Sequence, residues 1–182
     1  MNKAVFFDRD GTLIKDQNYL SEPAKIVLEP NVIEALKILQ DQNYKLIIIT
    51  NQSGIARGYF SLEDFWAVQN RLLEIFTKNG IKFTGSYYCP HHPEGKIALY
   101  TKICSCRKPA PGMILKAIKE HKIDPALSFM IGDKLDDVTA GARAQVKTIF
   151  LTKNFDSKSS TIKPDYYTEN LLDAVKNYII KK

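Results

Sequence analysis

Phe6-Phe7-Asp8-Arg9-Asp10-Gly11-Thr12-Leu13 carries the first apolar run of the chain, begun at Ala4, into two acids one residue apart. Gly11 and Thr12 then turn the chain. A short apolar run ended by a turn signal reads as a buried strand of a parallel sheet. The carboxylates of Asp8 and Asp10 then sit at the strand's C-terminal end, where open α/β sheets bind their ligands. Two like charges this close raise the cost of ionising both, unless a cation or a reaction makes use of them. Alone, the stretch fits a strand leaving into a polar loop as well as it fits a site, and the remaining chain must decide.

The same signature recurs downstream. Leu46-Ile47-Ile48-Ile49 runs into Thr50-Asn51-Gln52-Ser53-Gly54, and Ser128-Phe129-Met130-Ile131 runs into Gly132-Asp133-Lys134. Ser86-Tyr87-Tyr88 and Thr148-Ile149-Phe150-Leu151 read as two further strands. Between them lie helical patterns. One follows Pro30-Asn31, with Val32, Ala35, Leu36 and Leu39 on one face and an Asn31–Glu34 capping box. A second is capped by Ser61 and carries Leu62, Phe65, Leu72, Ile75 and Phe76 at mostly helical spacing. A third spans 112–121, with Ile114, Ala117 and Ile118 inward; a short small-residue helix covers 140–144. The last starts near Asn170 and turns Leu171, Leu172, Val175 and Ile179 to the core, after a polar surface loop over 154–160. Strands alternating with helices predict an α/β fold, a parallel sheet covered on both faces. With no repeat and no linker rich in Pro, Gly or Ser, one domain over 1–182 is expected.

Composition narrows the class. The chain has 182 residues, 25% charged and 45% hydrophobic, as in an ordinary soluble globular protein. No apolar run approaches the ~20 residues that cross a bilayer. Met1-Asn2-Lys3 leads directly into the first strand, without a signal-peptide apolar region and cleavage site, so a cytoplasmic protein with no membrane partner is expected. The net charge of +6 includes Lys116, Lys119 and Lys122 and the tail Lys181-Lys182, with no dense basic block interleaved with aromatics. A nucleic-acid partner is therefore not expected, and a small anionic substrate is compatible with the excess.

Three cysteines are an odd count without a secretion signal, which argues against a disulfide framework. All lie within Cys89-Pro90-His91-His92 and Cys104-Ser105-Cys106. Three thiolates and one imidazole are a common structural zinc set. In extended backbone, residues i and i+2 point the same way, so Cys89/His91 and Cys104/Cys106 can each grip one side of an ion. That argument prefers His91 to His92. A full set leaves no open coordination position, so the zinc is expected to be structural. It would tie the intervening loop into a defined shape and position Arg107-Lys108 just beyond the last ligand.

Four polar clusters thus fall at strand ends or in adjacent loops: Asp8/Asp10, Thr50-Asn51-Gln52-Ser53, Arg107-Lys108 and Asp133-Lys134. In a parallel sheet all strand C-termini share one edge, so they can converge. Acids with a hydroxyl and cations suit phosphoryl transfer, the acids holding Mg²⁺ and the cations neutralising phosphoryl oxygens. An Asp can itself be the nucleophile, giving an aspartyl-phosphate.

Asp8-Arg9-Asp10-Gly11-Thr12, Thr50-Asn51-Gln52-Ser53-Gly54, Arg107-Lys108-Pro109 and Gly132-Asp133-Lys134-Leu135-Asp136-Asp137 resemble the ordered motifs of the haloacid dehalogenase superfamily phosphatases. The resemblance runs from Phe6 to about Ala144. The Cys-Pro-His-His and Cys-Ser-Cys-Arg-Lys-Pro segments are similar to those of the heptose-bisphosphate phosphatase family, whose near relatives are the histidinol-phosphate phosphatases.

The resemblance implies a three-layer Rossmann-like fold without a large cap domain, with a zinc loop inserted at 89–106. It implies Asp8 as nucleophile and Asp10 as general acid, then base. Asp8, the backbone carbonyl of Asp10 and Asp133 would hold Mg²⁺, and Cys89, His91, Cys104 and Cys106 would hold Zn²⁺. Thr50 and Lys108 would stabilise the transferring phosphoryl group. Substrate contacts would come from Asp16, Gln17, Asn18, Tyr19, Asn51, Gln52, Ser53, Arg107 and Lys134. Asp136 and Asp137 would supply charge at a helix N-terminus, with Asp137 near the metal. The implied reaction is hydrolysis of the C7 phosphate of D-glycero-D-manno-heptose 1,7-bisphosphate, in the biosynthesis of nucleotide-activated heptose; a monomer is expected. Histidinol phosphate is the alternative substrate, and a zinc-stabilised nucleic-acid-binding module is the alternative of another class.

Overall fold

In the computed structural model, which describes residues 2–155 and 162–181, the strand runs assemble into one six-stranded parallel sheet. The elements in order are β1 (Ala4–Phe7), α1 (Val32–Asp41), β2 (Lys45–Asn51), α2 (Ser53–Arg57), α3 (Leu62–Lys78) and β3 (Phe83–Cys89). They continue with α4 (Gly112–His121), β4 (Phe129–Gly132), α5 (Leu135–Arg143), β5 (Lys147–Leu151), β6 (Tyr166–Thr168) and α6 (Leu171–Asp173). The chain extends from α6 as a wider π-helical segment, Ala174–Ile179. Polar residues 156–160 of the loop expected at 154–160 lie outside the described residues.

Alternation along each strand sorts its side chains between two faces. Val5 and Phe7 join Leu46 and Ile48 on the face covered by α1, α3 and the C-terminal helix, with Leu36, Leu72 and Val175 packed there. Ala4, Phe6, Ile47, Ile49 and Met130 point to the other face, covered by α4 and α5 through Met113, Ile114, Ala117 and Ala140. Every residue of β1 is buried, as expected of a strand covered on both sides. This is the predicted three-layer arrangement.

The strand order is β3-β2-β1-β4-β5-β6. The chain steps outward from β1 through β2 to β3, then returns to lay β4 on the other side of β1 and proceeds to β5 and β6. The order reverses between β1 and β4, where open α/β sheets form a crevice beyond their strand C-termini. Asp8 follows β1 directly, and its amide donates to the Ile131 carbonyl at 2.9 Å, so the two strand ends are joined where the crevice opens.

Some local expectations need correction. Asn31 makes no cap hydrogen bond: its backbone is left-handed (φ 61°), so the Asn31–Glu34 capping box does not form. Asn tolerates that conformation, and its side chain then no longer meets the helix N-terminus. Ser61 does cap α3, in a reciprocal box with Asp64. The helix expected over 140–144 begins already at Leu135, and α2 and β6 are additional elements. None of the helices among the described residues is long and apolar enough to cross a membrane.

Candidate active site

The site is built on buried carboxylates that meet one buried lysine. Asp8 stands at the end of β1 and Asp137 in the first turn of α5, and Lys108 arrives from the loop after the cysteine segment. Lys108 Nζ lies 2.9 Å from Asp8 Oδ1 and 2.5 Å from Asp137 Oδ1, and it donates to the Ile49 carbonyl at 2.9 Å. Only 2% of Lys108 is exposed, so these pairs act in a medium where charge is weakly screened. Burial disfavours its charged form, but the Asp137 and Asp8 carboxylates outweigh burial and hold its pKa above the ordinary value.

The carboxylates are not all compensated. Burial pushes Asp8 up to about 6, against the pull of Lys108, and the charges of Asp137 and Asp10 add to the rise. Burial also pushes Asp133 up to about 6, with the Asp8 charge next. Burial likewise raises Asp137, against the pull of Lys108. Oxygens of Asp8, Asp133 and Asp137 lie within 4.8 Å of one another, and Asp133 Oδ1 is buried with no hydrogen-bond partner. An excess of carboxylate oxygen beside an orphaned acceptor is the donor set of a hard divalent cation, so the residues fit Mg²⁺.

Asp10 is held differently. Arg9 Nε donates to its Oδ2 and Arg9 Nη2 to its Oδ1, both at 3.0 Å, and Gln52 Nε2 donates to Oδ2 at 3.0 Å. The bidentate fork fixes the carboxylate plane. Arg9 is 1% exposed, one of the largest buried side chains, and the sequence alone gave no sign of its part. Gln52 also donates to Thr50 Oγ1 at 2.8 Å, linking the end of β2 to Asp10. Asn51 Nδ2 donates to the Lys108 carbonyl while its Oδ1 accepts from the Lys108 amide, both at 3.0 Å. This amide clamp fixes the backbone of Lys108 from β2.

Above this floor opens a cavity of about 230 Å³ lined by Arg9, Asp10, Asp16, Asn18, Tyr19, Asn51, Gln52, Ser53, Arg107 and Lys134, among others. Lys134 Nζ lies 3.2 Å from Asp16 Oδ2, so that cation is already paired across the mouth. Arg107 has no carboxylate partner among the described residues; its Nη1 donates weakly to the His91 carbonyl at 3.4 Å. Gln17 is the one expected substrate contact directed elsewhere: its Nε2 donates to the Lys25 carbonyl, and it does not line the cavity. Asp136 is exposed on the cavity rim. Asp137, expected to serve the helix N-terminus, accepts from the Lys134 amide at 3.1 Å and also anchors Lys108. Asp137 also lies where it was expected, beside the carboxylates of Asp8 and Asp133, but no sequence pattern joins it to Lys108.

The second cluster draws on the segment just before Lys108 in the chain and on the end of β3. Ligand atoms of Cys89, His91, Cys104 and Cys106 all fall within 4.8 Å of one another. Sγ of Cys106 is 3.2 Å from that of Cys89 and 3.1 Å from that of Cys104, and His91 Nδ1 is 3.4 Å from Cys106 Sγ. Three thiols and an imidazole crowded about one point are a donor set for tetrahedral zinc, so the residues fit that ion. His92 turns away: its Nε2 lies 2.9 Å from Arg57 Nη2, and its Nδ1 accepts from the Glu94 amide. That contact ties the cysteine loop to α2.

Comparison with known proteins agrees with this geometry. Residues 105–174 match the HAD-hydrolase-like family. The chain is 44% identical over 178 residues to the D-glycero-beta-D-manno-heptose-1,7-bisphosphate 7-phosphatase of Pasteurella multocida, covering 97% of this chain and 96% of the relative. A crystal structure from Mesorhizobium loti, assigned as a HAD-like phosphatase, superposes with a TM-score of 0.84 at 34% identity, over 96% of this chain and 86% of that one. The D,D-heptose 1,7-bisphosphate phosphatase of B. bronchiseptica, complexed with magnesium and phosphate, shares the fold with a TM-score of 0.84, covering 99% of each chain at 24% identity.

Proposed function

The chain belongs to the HAD phosphatase family that contains the D-glycero-beta-D-manno-heptose-1,7-bisphosphate 7-phosphatases, and from that premise we propose that it hydrolyses the C7 phosphate of the beta-heptose bisphosphate. It acts as one phosphatase domain over 1–182, with the zinc loop 89–106 inserted. The observation that carries the reading is the Asp8–Lys108–Asp137 assembly with Asp133 beside it, whose chain neighbours Arg9, Arg107, Lys134 and Asp136 line a cavity, Arg107 having no carboxylate partner among the described residues.

Asp8 is the nucleophile. Its oxygen attacks phosphorus, and the departing alkoxide takes a proton from Asp10, leaving an aspartyl-phosphate. Asp10 then takes a proton from water, whose oxygen attacks phosphorus and returns Asp8 and inorganic phosphate. Lys108 and Thr50 face the charge that develops on the phosphoryl oxygens. Asp8, Asp133 and the Asp10 carbonyl would hold Mg²⁺, which supplies charge neutralisation at the phosphoryl group when bound. Arg107, with its planar fork, is suited to the substrate's other phosphate, and the cavity's Asn18, Asn51 and Ser53 to sugar hydroxyls. Zn²⁺ on Cys89, His91, Cys104 and Cys106 is structural.

Steady-state kinetics with the heptose bisphosphate and with histidinol phosphate test the reading. The expected result is the higher kcat/KM for the heptose bisphosphate, with turnover abolished in Asp8→Asn while circular dichroism stays native. A higher kcat/KM for histidinol phosphate would overturn the substrate, and a turning-over Asp8→Asn the mechanism.

A further inference from the structure

Tyr59 lies outside the cavity but meets a residue that lines it. Its ring packs edge-on against Tyr19, with centroids 4.6 Å apart and planes at 63°. Tyr19 lines the cavity; Tyr59 does not. Both rings are about half exposed, at 46% and 55%, so neither is there to fill a core. Among the described residues, Tyr59 is the ring that Tyr19 packs against.

The two partners are anchored very differently. Tyr59 follows the C-terminus of α2, where Gly58 adopts φ +73°, a conformation that favours glycine. The Gly58 amide donates to the Ile55 carbonyl at 3.1 Å and the Tyr59 amide to the Gly54 carbonyl at 2.9 Å. That pair of bonds is a Schellman motif, which fixes the backbone of Tyr59 to α2. The same helix begins at Ser53, on the cavity wall. Tyr19, by contrast, has φ +69°, next to Asn18 at φ +49°. Left-handed backbone is unfavourable for a tyrosine and persists only where its surroundings hold it. Upstream the loop is tied by the Asn18 amide to Asp16 and by Asp16 to Lys134. Downstream, the restraint on the Tyr19 ring is Tyr59.

We propose that Tyr59 is a positioning residue that sets substrate selectivity: from its α2 anchor it holds Tyr19 against the cavity, as an apolar wall for the carbon skeleton of the sugar. The inference rests on the sugar-bisphosphatase reading and adds to it a residue that touches neither substrate nor metal. Aromatic rings pack well against apolar surface while exposing a polar tip, which suits a wall that Tyr19 forms with Leu20 in a pocket whose other side chains are mostly charged or polar. Lost packing at Tyr59 frees Tyr19 to leave the wall, weakening recognition of the sugar and leaving the phosphoryl site intact.

The test is Tyr59→Ala, Tyr59→Leu and Tyr59→Phe in the full chain, assayed with the heptose bisphosphate and with inorganic phosphate as competitive inhibitor. An aromatic pair of this kind corresponds to roughly a threefold to tenfold change in an equilibrium. Tyr59→Ala and Tyr59→Leu should raise KM by about that factor with kcat and the phosphate inhibition constant unchanged. Tyr59→Phe keeps the ring and should restore the wild-type KM. An unchanged KM in Tyr59→Leu, or a parallel weakening of phosphate inhibition, would overturn the inference. Should Tyr59→Ala unfold, Tyr59→Leu and Tyr59→Phe still decide. A wild-type chain that does not turn over the heptose bisphosphate would overturn the reading beneath it, an outcome distinct from a wild-type enzyme with indifferent Tyr59 variants.

Discussion

Lys108 shows how one side chain links stability to chemistry here. It is buried, it faces Asp8 and Asp137 at 2.9 and 2.5 Å, and its backbone is clamped by Asn51. A buried ion pair gains little over well-packed apolar side chains, but removing one partner leaves the other charges uncompensated. Lys108→Met keeps the length and removes the charge, leaving Asp8 and Asp137 facing each other. The expected loss is about 3 kcal/mol of unfolding free energy, measured by urea denaturation. Turnover should fall by roughly 10²–10³-fold, as when one donor to a developing oxyanion is lost. A Lys108→Met protein as stable as wild type would mean that the pair is not compensating the acids. In the sequence Lys108 announces itself only as one residue of Arg-Lys-Pro after the last cysteine; its two acidic partners lie 100 and 29 positions away, and no local pattern joins them.

At the scale of elements, the join between β4 and α5 is set by a missing side chain. A Cβ at Gly132 would lie 2.2 Å from Asp137 Oδ2, with the rest of that carboxylate almost as near. Gly132 thus lets the first turn of α5 fold back against the strand end, where Asp137 reaches both Lys108 and the Lys134 amide. Gly132→Ala should displace Asp137, destabilise the protein by about 1–3 kcal/mol as other overpacked sites do, and lower kcat, with urea denaturation and steady-state rates as the readouts. If both stayed at wild-type values, Asp137 would have slack that the geometry denies. Strands and long helices were legible in the sequence because burial imposes a period: β1, β2, β4 and β5 follow apolar runs, the half-buried β3 shows through Tyr87 and Tyr88, and α3 is capped by Ser61. Short elements escaped it. The five-residue α2 is too brief for a helical period to show, and β6 has three residues of which Tyr167 is half exposed. Asn31 misled because the same side chain that caps helices also tolerates the left-handed backbone it adopts here.

For the whole molecule, the site was legible to the extent that parallel topology brings strand ends to one edge: Asp8 and Asp133 follow β1 and β4, and Thr50 stands next to last in β2, by that rule. The links between them were not, since the Arg9–Asp10 fork, the Asn51 clamp and the Tyr19–Tyr59 pair depend on how loops pack, which no periodicity encodes. The cysteine loop depends on both scales. It leans on α2, where the Lys96 and Ile97 amides donate to the Ala56 carbonyl at 2.7 and 2.9 Å, and it ends at Arg107-Lys108. Removing zinc would free the loop, yet its two cations should not respond alike. Lys108 keeps the Asn51 clamp and its two buried acids, whereas among the described residues the Arg107 side chain makes only a weak bond, to the His91 carbonyl inside the cysteine loop. Zinc loss should therefore raise KM for the bisphosphate more than it lowers kcat. Loss of one charge-assisted contact predicts a KM increase of roughly tenfold or more. Cys106→Ser and chelated wild type, each verified by metal analysis and supplied with saturating Mg²⁺, provide the measurement, with limited proteolysis within 90–105 reporting the freed loop. Full activity in a verified zinc-free protein would defeat the structural role, and a fall in kcat at constant KM would show that Lys108, not Arg107, is what the zinc holds in place.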